Sequence, residues 1–305
     1  MSISFYVKNK KKFLGYEKVL NVEEALTILD KELNTYNTGN IDINDLLLSP
    51  VSNYQCLLIG EDKVSARGFE LSYDDKNKDY AVRIFTPSSR EDWLLALEYI
   101  KALAKKFGSE IINERGEVYT VDNIDKFDYI NDILYGIEVI TSNMKSGKTD
   151  NYTIFGIDRV VSFNQEMLDK INNSDSPIDT FSNIVKEIQY LDAYSAHQQF
   201  YKNKADGKII GAYTLTQNLR TILPYKPSVE FENLDIVKNE DISLWNIGLV
   251  TINGDENDPN SYQVAGNLNY DDFIKKLTIN KYKFIDASYI MVEPLNKEEI
   301  LDLLK

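Results

Sequence analysis

Phe69-Glu70-Leu71-Ser72-Tyr73, a polar turn from Asp74 to Asp79, and Tyr80-Ala81-Val82-Arg83-Ile84-Phe85 read as two strands folded back on each other. Aromatic and β-branched residues alternate with polar ones on both sides of the turn, the pattern of an antiparallel hairpin with one buried face. Pro87-Ser88-Ser89 ahead of Glu91 and Asp92 then predicts a capped helix start, and Trp93, Leu97, Ile100, Ala104 and Phe107 form a stripe that stops at Gly108. A hairpin running into a helix, without strict strand–helix–strand alternation, predicts an α+β fold of mixed, largely antiparallel sheets with helices packed on them.

Outward from this stretch the same reasoning gives an opening strand at Ile3, Phe5 and Val7, a helix over 22–36 capped by Asn21, and a buried strand over 54–59. A second hairpin turns near Arg115 and Gly116, and a helix covers 123–140. Residues 141–151 contain one large apolar side chain, so they predict a linker between an N-terminal domain (1–140) and a C-terminal one (152–305), two subdomains in all. Beyond it follow a strand near 154–163, helices, a hairpin at Asp206-Gly207, strands over 244–252 and 282–292, a helix over 270–278 and a terminal helix. The phrase Leu-Asn-x-acid-acid recurs at Leu20, Leu268 and Leu295. Each copy predicts a helix start, with Asn accepting an orphan amide and the acids facing the positive end of the helix dipole.

Composition narrows the function classes. The chain has 43% hydrophobic and 27% charged residues, globular proportions, and 34 Lys plus Arg against 48 Asp plus Glu, a net charge of -14. Such acidity argues against nucleic acid and anionic lipid as partners, and Lys8 to Lys12, the best of the local basic clusters, reads as a solvated edge or turn. A basic run after Val7 is the wrong order for a secretory signal, no apolar run is long enough for a membrane helix, and Cys56 is the only cysteine, so the expected compartment is the cytoplasm. Residues with A/T-rich codons are abundant and suggest a bacterial source.

Three constellations can be weighed for chemistry. Ser142-Asn143-Met144-Lys145-Ser146-Gly147-Lys148-Thr149 lacks only the first glycine of a phosphate-binding loop, making Gly147, Lys148 and Thr149 nucleotide-binding candidates; a plain linker is the competing reading, because the exit sequence is β-like. Cys56, His197 and Asn218 fall in the order of a papain-like thiol hydrolase, yet Cys56 sits in an apolar strand pattern that predicts a buried, inert thiol. With one His and one Cys, the common zinc sets are excluded; the loop 37–42 has the Gly and Ile of a calcium loop but Asn34, Tyr36 and Thr38 where acids are expected, and the acidic loop 254–259 lacks the spacing, so no metal and no cofactor is expected.

What remains is surface. From Asp179 the apolar residues Phe181, Ile184, Val185, Ile188 and Leu191 share one face of the expected helix, while Tyr190, Tyr194, His197 and Tyr201 share the opposite one. An aromatic stripe opposite the core stripe is either sandwiched in the fold or an interaction surface of the kind tyrosine favours. The opening Phe5-Tyr6-Val7-Lys8-Asn9-Lys10-Lys11-Lys12, Arg83-Ile84-Phe85-Thr86-Pro87 and Pro224-Tyr225-Lys226-Pro227-Ser228-Val229-Glu230-Phe231 resemble an uncharacterised bacterial family of about this length. That resemblance spans nearly the full chain and implies no activity or catalytic residues. The expectation is a non-enzymatic cytoplasmic protein-binding module, an inhibitor or immunity-type partner of another protein. The thiol hydrolase and the nucleotide-binding protein are the alternatives.

Overall fold

Alternation in the opening segment produces β1 (Ser2–Lys8), which buries Ile3, Phe5 and Val7. A computed structural model describes every residue except Asn40, Lys148 and Ala205. Its internal contacts separate two units, Met1–Tyr190 and Leu191–Lys305. After β1 the first unit contains α1 (Val22–Leu26), β2 (Leu33–Thr35), α2 (Ile43–Leu48), β3 (Leu57–Glu61), β4 (Phe69–Asp74), β5 (Asp79–Phe85) and α3 (Arg90–Phe107). It continues through β6 (Ile111–Asn113), β7 (Val118–Tyr119), α4 (Tyr129–Lys145), β8 (Tyr152–Phe155), β9 (Val160–Phe163), α5 (Gln165–Asn172) and α6 (Pro177–Gln189).

The decisive hairpin is β4–β5, in register from Phe69 opposite Ile84 to Asp74 opposite Asp79. It lies inside a seven-stranded sheet ordered β2-β3-β4-β5-β1-β6-β7, with every neighbouring pair antiparallel. Helix α3 covers this sheet, burying Trp93, Ala96, Tyr99, Ile100 and Leu103, and ends at Gly108 with φ 62°. Trp93 stacks on Phe127, and the Tyr99 hydroxyl donates to the Ala25 carbonyl at 2.9 Å, tying the excursion between β1 and β3 onto the core.

An aspartate anchors this frame. The Asp92 carboxylate is fully buried and accepts from the backbone amides of Ala66 (3.2 Å), Arg67 (2.8 Å) and Gly68 (2.9 Å) and from the hydroxyls of Ser88 and Ser89. Burial pushes its carboxyl above the usual range, although Ser89 and the amides of Arg67 and Gly68 pull the other way. The buried Arg67 guanidinium donates to the carbonyls of Phe155 and Pro87 and lies over the Phe85 ring. Desolvation draws it down to about 10, which leaves it charged at neutral pH.

Five elements differ from the sequence expectation, and two of them share a cause: the single strands expected near 154–163 and over 282–292 each fold back as an antiparallel pair, β8 with β9 and Tyr282–Phe284 with Tyr289–Val292. The predicted helix over 22–36 stops at Leu26, because the Thr27 hydroxyl takes the Glu23 carbonyl and Leu33 to Thr35 pair with β3 as an edge strand. The predicted strand over 54–59 begins only at Leu57. Helix α4 starts at Tyr129, capped by Asp128, and runs through Thr141 and Met144, both buried, to Lys145. Residues 141–145 are therefore helix rather than linker. The two units part after Tyr190, later than the 141–151 segment, since β8, β9, α5 and α6 pack in the first unit with α3 and α4.

The second unit comprises β10 (Tyr194–Ser195), β11 (Gln199–Lys202), β12 (Ile209–Thr216), β13 (Thr221–Pro224), β14 (Ile242–Ile252), β15 (Tyr262–Asn269), α7 (Tyr270–Lys276), β16 (Tyr282–Phe284), β17 (Tyr289–Val292) and α8 (Lys297–Leu303). Two four-stranded sheets form, β10-β13-β17-β16 and β11-β12-β14-β15. Among the described residues only β10/β13 and β12/β14 pair in parallel. Helices α7 and α8 pack on β14, and Tyr213, Ile247, Leu249, Tyr270, Phe273, Ile290 and Ile300 form the core between these layers. Asn21, Asn269 and Asn296 each cap a helix through the side chain, as the repeated phrase predicts. The fold is α+β with mostly antiparallel sheets.

Candidate functional site

Strand alternation gives the β11-β12-β14-β15 sheet two faces. Tyr213 and Leu215 on β12 and Ile247 and Leu249 on β14 point into the core. Their neighbours point the other way. Register places Gln199 beside Ala212 and Asn246, Tyr201 beside Ile210, Thr214 beside Gly248 and Asn267, and Thr216 beside Val250 and Val264. Tyr201 is 56% exposed and Val264 68%, so this outer face meets solvent instead of a second layer.

The face is not flat. Small residues, Ala212 and Gly248, line its middle, while Tyr201, Val250, Val264 and Asn267 rise around them, enclosing a shallow trough of about 440 Å³. A Cβ on Gly248 would sit 3.2 Å from the Asn267 side-chain oxygen and 3.7 Å from the Tyr213 carbonyl, so a side chain there would fill the trough with only slight displacement. An irregularity between Leu249 and Val250 shifts β15 by a residue and sets Val264, rather than Ala265, on this face.

The aromatic residues singled out from sequence do not share a helix face. Helix α6 ends at Gln189, with Tyr190 as its C-cap, and the chain passes into β10 and β11. Tyr190 is half-buried and donates its hydroxyl to the Ser65 carbonyl at 2.6 Å; burial holds that hydroxyl above the usual phenol range. Tyr194 and His197 are exposed and meet edge to face with centroids 6.0 Å apart. Tyr201, on the edge strand β11, is the member of the four that borders the trough. Helical spacing misplaced them because Gly207, with φ 72°, closes a hairpin that commits 199–202 to a strand.

The thiol candidate is half-buried just before β3, not sealed inside a strand. Desolvation, with Glu70 beside it, pushes the Cys56 thiol above its ordinary range, the opposite of the shift that makes a nucleophile. His197 belongs to the second unit, and Asn218 sits in an exposed turn with φ 60°. In the glycine–lysine string, Ser142 lies within α4 and Gly147 follows its last turn with φ 68°, donating its amide to the Met144 carbonyl at 3.0 Å. A helix therefore precedes Gly147, and its negative, carbonyl end faces the place where phosphate would need amides. The Thr149 hydroxyl donates to the Asn151 carbonyl at 2.6 Å, and Lys148 lies outside the described residues, as does Asn40 of the loop weighed for calcium. Among the described residues no group of three or more His, Cys, Asp or Glu side chains is placed to hold a metal.

A polar cluster escaped the sequence reading. Gln198 donates to the Tyr213 hydroxyl and the Ser228 carbonyl, both at 2.6 Å, and accepts from the Glu230 amide, while Tyr213 donates to the Glu230 carboxylate at 3.1 Å. Burial pushes the Glu230 carboxyl up, against the lowering effect of the Tyr213 hydrogen bond. The bonds fasten the segment after Pro224 to the core side of the sheet. No spacing motif signals them, because the partners are far apart in sequence.

The chain belongs to a family described as a domain of unknown function (DUF4299), whose model matches residues 2–303, nearly its whole length. No curated protein and no solved structure matches it. Among the described residues no helix is long and apolar enough to cross a membrane.

Proposed function

We propose that this chain is a non-enzymatic, cytoplasmic protein-binding module of bacterial origin, and that the outer face of the β11-β12-β14-β15 sheet is its contact surface. The observation that carries the reading is the uncovered trough over Gly248, bordered by exposed Tyr201 and Val264. Interfaces combine rigid aromatic anchors with satisfiable polar groups, and here Tyr201 and Val264 supply apolar contact while Asn246, Asn267 and Gln199 supply amides. A partner side chain seated in the trough would meet backbone-level floor at Gly248 and Ala212. The net charge of -14 steers toward a basic protein partner and away from nucleic acid. An inhibitor or immunity-type role fits these features. The thiol and nucleotide readings lose support from the raised Cys56 thiol and the reversed helix polarity at Gly147.

Photo-crosslinking tests the reading. A photoreactive residue in place of Tyr201 or Val264 is expected to trap one and the same protein in the native cell, and the purified pair should re-form the adduct. The same residue in place of Ile279, exposed elsewhere in this unit, is expected to trap none of it. Equal trapping from position 279, or none from 201 and 264, would reject the sheet face.

A further inference from the structure

Between Lys8 and Leu20 the chain forms a small projecting hairpin. Lys11 pairs with Tyr16 in an antiparallel bridge, the Lys12 amide donates to the Gly15 carbonyl at 3.0 Å, and the Glu17 amide donates to the Lys10 carbonyl at 2.8 Å. Gly15, with φ 78°, closes the tip. This geometry leaves Phe13 and Leu14 side by side at the apex with relative exposures of 102% and 86%, the highest among the exposed large apolar side chains. Single exposed apolar residues are ordinary, but two adjacent ones held at an ordered convex tip form an unpartnered apolar point.

A cationic collar, in the sense of exposed lysines on both strands leading to the tip, flanks that point. Lys8, Lys10, Lys11, Lys12 and Lys18 are all exposed. Lys8 pairs with Asp79 and Lys12 with Glu17, whereas Lys10, Lys11 and Lys18 are in no ion pair among the described residues. The nearby β4–β5 turn carries the facing acids. Asp75 pairs with Lys78, Asp79 with Lys8, and the Asp74 carboxylate accepts from the amides of Lys76 and Asn77.

We propose that this hairpin is a peripheral anchor that seats Phe13 and Leu14 in the interface of a bilayer containing anionic lipid, with Lys10, Lys11 and Lys18 against the headgroups. The tip is convex and offers no groove, so a protein partner would need a pocket cut to fit it, whereas a bilayer interface accepts an apolar tip of any shape. Apolar residues of peripheral anchors sit about 5–10 Å deep, with the cations at headgroup level, the arrangement of this apex and collar. Screening over about 8–10 Å confines the attraction to charges near the surface, so the collar outweighs the acidity of the whole chain. This revises the expectation, drawn from total charge, that anionic lipid is excluded. The inference does not rest on the sheet face, which belongs to the other unit.

Co-sedimentation of the full chain with vesicles decides it. Binding is expected to vesicles of phosphatidylcholine with about a third phosphatidylserine, at least about tenfold weaker binding to phosphatidylcholine alone, and weakening with salt. Phe13→Ser with Leu14→Ser is expected to reduce binding about tenfold or more, and Lys10→Glu with Lys11→Glu to do likewise. None of these side chains is in the core, so unchanged circular dichroism should accompany each loss, and Gly248→Leu should bind vesicles as the unaltered chain does. Absence of binding to the anionic vesicles, or binding indifferent to the apex change, would overturn the proposal. So would an acidic protein whose capture needs Phe13 and Leu14 while the vesicles go unbound.

Discussion

Replacing Asp92 by alanine should unlatch α3 from the segment 66–68. The carboxylate accepts three backbone amides and two hydroxyls in a fully buried site, so its removal strands the amides of Ala66, Arg67 and Gly68 where water cannot replace the lost acceptor. Each stranded buried donor costs about 1–3 kcal/mol, and because the three share one acceptor their costs do not simply add. Arg67 also loses a nearby opposite charge, so the total should approach the roughly 3–5 kcal/mol that follows from breaking a buried ionic network. Asp92→Asn keeps one acceptor oxygen but turns an amide donor toward other donors, so it should fall between alanine and the unaltered chain. The two tryptophans lie in different units, Trp93 in the first and Trp245 in the second. Urea titration in a Trp245→Phe background therefore reports the first unit alone. With a slope of about 2 kcal/mol/M, the alanine change should lower the midpoint by roughly 1.5–2.5 M. A shift below about 0.3 M would refute the claim that this carboxylate holds the frame.

Other outcomes follow from the same geometry. The folded protein holds the Glu230 proton more tightly than the unfolded chain does, so this group's contribution to stability is greatest below the ordinary value of 4.5 and is lost as pH rises through the raised folded value. Glu230→Gln should therefore gain stability relative to the unaltered chain as pH rises above 4.5 in parallel urea titrations; a pH-independent difference would contradict the assignment. Alkylation of native Cys56 at neutral pH should be slower than that of a free thiol and should accelerate at higher pH, and fast neutral labelling would revive the nucleophile reading. Magnesium nucleotide should leave the unfolding temperature unchanged; a rise abolished by Thr149→Ala would reinstate the phosphate loop.

Local signals carried much of the fold. The β4–β5 hairpin, the Ser89-capped α3 and the three Asn-capped helices follow from alternation, spacing and caps that neighbouring residues enforce. Leu33 and Tyr201 depart from the expectation for a common reason: each fits a helical spacing, but pairing with a strand distant in sequence, β3 for Leu33, or closure by Gly207 for Tyr201, overrides it. Asp92 reads as an ordinary capping acid, and nothing local shows that the amides of 66–68 converge on it. The trough was legible only through Tyr201. Its floor depends on the register that sets Gly248 beside Thr214 and Asn267, a relation between strands that periodicity within any one of them does not encode.

The sheet face is tested most directly by the dissociation constant of the purified crosslinked partner for the unaltered chain and for Gly248→Leu, with stability measured on the same samples. The added side chain occupies the trough once the Asn267 side chain gives by a few tenths of an ångström, so stability should change by no more than about 1 kcal/mol while binding weakens at least about tenfold. Undiminished affinity in a folded Gly248→Leu protein would contradict the account.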